Sequence, residues 1–470
     1  MITNTTTIRL EIEQGIRQKG HSLSSFGKLA GINRGIISGI LNGNPPKSIS
    51  IRQLDLMAEA LGHDEGWMYE YYVDECFINE KADWRRIKAF LMRCTEIGRY
   101  DCIQAVLDRL MEDLSNTVSV FGLAEELYED GKVKESIPFY ECVIENEKHQ
   151  HSERLAIAHY RVFRASIGEN TEQSLRAIIR FEPFRNRLPE NLMLDALLQL
   201  GSVYYNFQDW TLMSSCADEL QSLIKMVYSV AKDQLKNNGI FPNLNTEREL
   251  VVYYGQGYLL KATALEHLGR YEDAKKYILK YANLSDFEVL NALGEIEVQK
   301  FKLYAKANLN NLELLMGNTD KLNEYVKFIQ DNPKETFPSM LIIVKSANMH
   351  NFNIDEIIHQ FSDIIYQRIT FDKIAPPVVT SSRLMTLYYQ LAIYHINNQK
   401  YDNGIKDLLR ALMLAVRIVN KNRILDCISM FEQIKCFAKI DQISLYETIL
   451  KEVNQNEKSY NFSNFNNSNQ

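Results

Sequence analysis

Asn33 and Arg34 open a short segment, Arg34 to Leu41, in which Ile37 and Ile40 recur at helical spacing. A guanidinium is a planar fork that matches O6 and N7 on the major-groove edge of guanine. Asn33, at the start of the segment, suits a phosphate or base contact. Gly35 stands beside Arg34 where bases would be read, and Ser38 and Gly39 follow one turn later. Lys28, Asn42, Asn44 and Lys47 flank the segment as phosphate-contact candidates. The chemistry is recognition of a polyanion, without covalent steps.

A second set is spread along the chain. With Gly201, Ala262 and Ala392 taken as the small residues where helices meet, Asp195, Ser202, Tyr205 and Asn206 fall on one wall of a helical array. The same register adds Gln256, Glu266 and Tyr389, and an intervening helix adds Tyr304, Asn308 and Asn311. Amide side chains both donate to and accept from a peptide backbone. Carboxylates hold basic side chains, and tyrosine gives rigid amphipathic area. Such a wall would hold an extended peptide without catalysis.

Nothing enzymatic stands out, so no enzyme, cofactor or metal is expected. YGQGYLL (Tyr254–Leu260) lacks the third glycine of a dinucleotide fingerprint, and no phosphate-binding loop or HExxH motif occurs. His149 and His151 read as surface-loop residues, and His267 and His395 as packing residues.

Helices must position both sets. Ile8, Ile12 and Ile16 define a first helix. Ser22 caps a second with Ser25 at its third position, Asn33 caps a third, and Ser50 caps a fourth that Gly62 closes. Phe26, Ala30, Ile37 and Ile40 fit the core positions of a helix-turn-helix. Gly27 fits its small contact residue and Gly31 its positive-φ turn residue. Gly43 ends the third helix, and Gly35 and Gly39 project from its reading face.

From about residue 80 the chain reads as amphipathic helix pairs with turns of shared flavour: IGRYDCI, DGKVKESI, FQDWTLMSS, LGRYEDAKKY, MGNTDKL and NQKYDNGI. Gly98 and Gly131 are separated by close to the tetratricopeptide period. LGSVYYNFQDW carries the repeat's small and aromatic positions, and Ala274 receives a neighbouring helix. KNNGIFPNLNTERE and KIAPPVVTSS read as breaks between helices.

The chain has 470 residues and a formal net charge of −7. Residues 1–53 carry seven basic side chains against Glu11 and Glu13. A basic head on an acidic body implies that only the head meets a polyanion. Seven scattered cysteines without C-x-x-C spacing, and no 18-residue apolar run, point to a cytoplasmic protein outside the membrane. The expected fold is all-α: a helix-turn-helix domain (1–66), a linker helix (67–80), then a right-handed α-solenoid of degenerate tetratricopeptide-like pairs (81–453), and a disordered tail (454–470).

LNGNPPKSIS followed by LDLMAEALG resembles the Cro/C1-type repressor module over residues 6–65. Joined to the repeat-like body, it resembles the RRNPP peptide-sensing regulators of Gram-positive bacteria and their temperate phages, most like arbitrium receptors and their chromosomal relatives. The resemblance implies a cytoplasmic homodimer that binds an inverted-repeat DNA operator under the control of a short oligopeptide in the groove. The C-terminal helices would be the dimer contact or cap. Two other readings stay open: a helix-turn-helix regulator controlled by a protein partner, and a repeat-based interaction scaffold without DNA binding.

Overall fold

The computed structural model describes residues 7–78, 81–149, 152–167, 171–239, 244–367, 378–418 and 420–452. The fold is all-α. Its β structure among the described residues is one two-residue antiparallel ladder, in which Phe77 pairs with Ala82. Contacts divide the chain into two compact units, 1–189 and 190–470.

The first unit opens with α1 (Ile8–Gln18), α2 (Leu23–Leu29), α3 (Arg34–Asn42), α4 (Ile51–Leu61) and α5 (Tyr69–Glu75). Ile8, Ile12 and Ile16 are buried on one face of α1. Ser22 and Ser50 each form a full capping box, and Gly62 takes the left-handed conformation that closes α4. Then follow α6 (Trp84–Ile97), α7 (Tyr100–Leu110), α8 (Thr117–Glu129), α9 (Val133–Asn146), α10 (Glu153–Ser166) and α11 (Thr171–Phe181).

One apolar core runs without interruption from Ile8 to Val162. Tyr69 and Tyr72 of α5 are fully buried in it, both packed against Phe90 of α6. The segment expected as a linker helix is therefore core, and the division expected at residues 66–81 falls inside a single packed unit. Polar contacts cross the same place. Arg9 binds the Ile40 carbonyl at 3.2 Å and pairs with Glu75. Arg86 donates to Ser48 Oγ at 2.6 Å. Arg93 reaches Asp55 at 3.2 Å, and Tyr69 donates to the same carboxylate at 2.8 Å.

The second unit contains α12 (Glu190–Phe207), α13 (Trp210–Asn238), α14 (Leu250–His267), α15 (Tyr271–Ala282), α16 (Ala292–Leu315), α17 (Leu322–Asp331) and α18 (Thr336–His350). It continues with α19 (Asp355–Gln360), α20 (Ser362–Gln367), α21 (Val378–Asn397), α22 (Tyr401–Arg417) and α23 (Lys421–Ile434). Neighbours in sequence are the main packing partners, as from α12 through α16 and from α21 to α23. Each of the six turns read from the sequence joins two helices. A positive-φ residue makes every one: Gly98, Gly131, Gln208, Gly269, Gly317 and Gln399. Glycine takes this conformation without a Cβ penalty.

The close approaches follow the small residues. A Cβ on Gly201 would lie 2.7 Å from Leu260, and Ala262, Ala274 and Ala392 are buried. The break expected at KIAPPVVTSS is shorter than its sequence suggests. Val378 to Ser382 already belong to α21, because the β-branched pair and the two serines follow the prolines and meet no further breaker. Lys373–Pro377 and the tail 454–470 lie outside the described residues.

Candidate functional site

Two groups of side chains emerge, one in each unit. In the first, α2 and α3 pack at a point where only glycine fits. A Cβ on Gly27 would sit 2.6 Å from the Ile32 carbonyl oxygen. Gly31 turns the chain at φ +65. Phe26, Ala30, Ile37 and Ile40 are buried, which leaves the opposite side of α3 facing outward.

Asn33 caps α3, its Oδ1 accepting from the Gly35 N–H at 2.7 Å. Its Nδ2 keeps both hydrogens for a ligand. Arg34 is exposed at the first position of the helix, and neither it nor exposed Lys28 has a hydrogen bond or ion pair among the described residues. Ser38 is half-buried, and Asn42, Asn44 and Lys47 are exposed.

Gly35 is open: a Cβ there would meet only Asn33 Oδ1, at 3.2 Å. Gly39 is not. The Lys47 stem fills the space beside it, 2.8 Å from where its Cβ would be, and the Lys47 N–H donates to the Gly39 carbonyl. The expectation that both glycines leave the reading face bare is corrected for Gly39, where returning chain brings a lysine onto α3. Arg9 and Arg17 are occupied internally, by Glu75 and Glu13. The outward charge of the head thus rests on fewer residues than its composition suggests.

In the second unit a polar belt runs across α14 to α18. Asn308 donates to Tyr281 Oη at 2.8 Å, Asn311 donates to Asn308 Oδ1 at 3.4 Å, and Tyr325 donates to Asn311. Half-buried Glu266 has no hydrogen bond among the described residues, and burial pushes its carboxyl up to about 7 against the pull of Lys345. Tyr271, Tyr281 and Tyr325 all feel its charge. Next to it His267 stacks on Trp210 with centroids 3.8 Å apart, and Tyr205 meets both rings edge-on. Burial, then Lys345, brings His267 down to about 4. Ser202 and Asn206 are exposed on α12, Gln256 is half-buried on α14, and Tyr304 packs edge-on to Phe301.

Two expected wall residues are elsewhere. Asp195 is fully buried, because α12 is enclosed on every side from Leu194 to Leu198, and Arg248 approaches its Oδ1 at 3.5 Å. Tyr389 lies beneath the Arg423 guanidinium, 4.0 Å from its ring centroid, so one face of the ring is taken. Sequence reasoning passed over Tyr271, Tyr281, Tyr325 and Lys345. A signal did exist: Tyr281 and Tyr325 stand where the two asparagines need partners, but only the packing of α15 and α17 on α16 reveals it.

Among the described residues no group of three or more His, Cys, Asp or Glu side chains could hold a metal ion, and no helix is long and apolar enough to cross a membrane. Compared with known proteins, the chain matches no family model, and no curated protein is similar to it.

Proposed function

We propose that the chain is a DNA-binding transcriptional regulator whose operator affinity is set by a short oligopeptide held against the polar belt of its second unit. The carrying observation is the outward side of α3. There Arg34 and the Asn33 amide, with Lys28 on the adjoining α2, are exposed with donors unspent, over a two-helix contact that tolerates no side chain at Gly27. On this reading α2 and α3 form a helix-turn-helix, and α3 enters the major groove with its N-terminal residues on base edges. The helix pairs that follow form a tetratricopeptide-like solenoid. The chain acts as a homodimer on an inverted repeat, in the cytoplasm.

Peptide would act by binding one arrangement of the repeats more tightly than another, which is the only way a ligand shifts such an equilibrium. The belt of Glu266, Asn308, Asn311 and the tyrosines supports this, since it offers both amides and a carboxylate without a hydrogen-bonded partner.

Fluorescence anisotropy on DNA from the chain's own promoter region tests the reading. Specific binding that weakens steeply with salt is the expected result. Absence of sequence-specific binding would reject it in favour of an interaction scaffold. Calorimetry with peptides of about five to ten residues, encoded by neighbouring reading frames, tests the second half.

A further inference from the structure

In the second unit a cavity of about 380 Å³ is lined by α19, α20, the end of α21 and the first half of α22. Its floor is a buried charge cluster. Asp407, 1% exposed, accepts from Arg410 at 2.8 Å and Tyr366 at 3.3 Å, and its Oδ2 lies 3.1 Å from His395 Nδ1. His395 is itself only 5% exposed. With Nδ1 facing a carboxylate, neutral imidazole keeps its proton there and leaves Nε2 as a bare acceptor. That Nε2 has no hydrogen-bond partner among the described residues, and His395 lines the cavity.

The rim has the opposite character. Lys400 and Lys406 each hold one carboxylate, Asp355 and Asp402, and keep further N–H groups for a ligand. The N-terminus of α22 also stands here with no side-chain cap. A lysine at that N-cap is unfavourable against the positive end of the helix dipole; Asp402 in the first turn offsets part of this, and a bound anion relieves the rest.

We propose that this cavity binds hydrogenphosphate, with room for its waters. The ion carries the two features the walls require: a P–OH to donate to His395 Nε2, and anionic oxygens for Lys400, Lys406 and the open turn of α22. Sulfate and carboxylates are fully ionised at neutral pH and bring no donor. A phosphate monoester loses its own above its second pKa, near 6. The site binds and does not hydrolyse. Ser362 donates to the His359 carbonyl at 2.7 Å and makes no bond to His395.

The test is calorimetry on the full chain at pH 8, with inorganic phosphate, sulfate and ribose 5-phosphate at matched ionic strength. Phosphate is expected to bind saturably and at least tenfold more tightly than the other two. Lys406→Glu, an exposed change, should weaken phosphate tenfold or more without altering the circular dichroism spectrum. His395→Gln should erase the preference over sulfate. Equal binding of sulfate or the monoester, no saturable heat with phosphate, or an unchanged affinity in Lys406→Glu would each overturn the proposal.

Discussion

The two candidate surfaces are built in opposite ways. On α3 the outward side chains are unspent, and the structure beneath them is fixed by a few local residues: a cap, a turn glycine and a contact glycine. On the belt of α14 to α18 most polar groups already bond one another, across consecutive helices. On the proposed reading, a surface meant for a rigid polyanion leaves its donors free. On the same reading, a surface meant for a flexible ligand keeps its groups oriented beforehand, so that less ordering is required on binding.

The sharpest way to break this contrast is at the contact glycines. Gly27→Ala pushes a methyl group against backbone, the Ile32 carbonyl, and should cost about 3 kcal/mol and abolish operator binding. Gly201→Ala meets only the tip of Leu260 and should cost about 1 kcal/mol, because a side chain can turn aside. Urea denaturation of both variants checks the ranking, and equal losses would erase the distinction.

Arg34→Ala should weaken the operator complex by about 1–3 kcal/mol while leaving the unfolding midpoint where it was, since Arg34 has no partner within the chain. Lys28→Ala should weaken all DNA sequences alike and lower the salt slope by about one. Asn308→Ala should behave in the reverse manner to Arg34→Ala. It strands the Tyr281 hydroxyl and should cost about 1–2 kcal/mol of stability with no direct effect on DNA contacts.

The smallest effect is a pair of opposed pH dependences. Glu266 has its folded pKa raised to about 7, so its stabilising contribution is complete below the ordinary carboxylate value and is lost as pH rises through 7. His267 has its folded pKa lowered to about 4, so its contribution is complete above 6.5 and is lost as pH falls through 4. Relative to the wild type, Glu266→Gln should become progressively less stable as pH falls from 7 to 4.5. His267→Gln should become progressively more stable as pH falls from 6.5 to 4. Urea midpoints across that range read both, and slopes of the same sign would contradict the assignment.

Local structure was the most legible part of the sequence. Caps at Ser22, Asn33 and Ser50 and the glycine turns all act over a few residues, so a short stretch of sequence contains the whole cause. Asp195 and Tyr389 misled because helical register gives a face but not what is packed over it. Tyr281 and Tyr325 were invisible for the converse reason: their importance lies in partners on another helix. Gly39 needed the return of the chain at Lys47, which no periodicity encodes.

The unbroken core from Ile8 to Val162 bears on how such a chain can be inherited. Recombination that exchanged heads at residue 66 would cut between Asp55 and its partners Arg93 and Tyr69, and between Ile49 and Tyr72. A crossover near residue 189, where the two units divide, leaves that core whole. The segment that such an exchange moves intact is residues 1–189 as a whole, so the surface of α3 travels with the helices that support it.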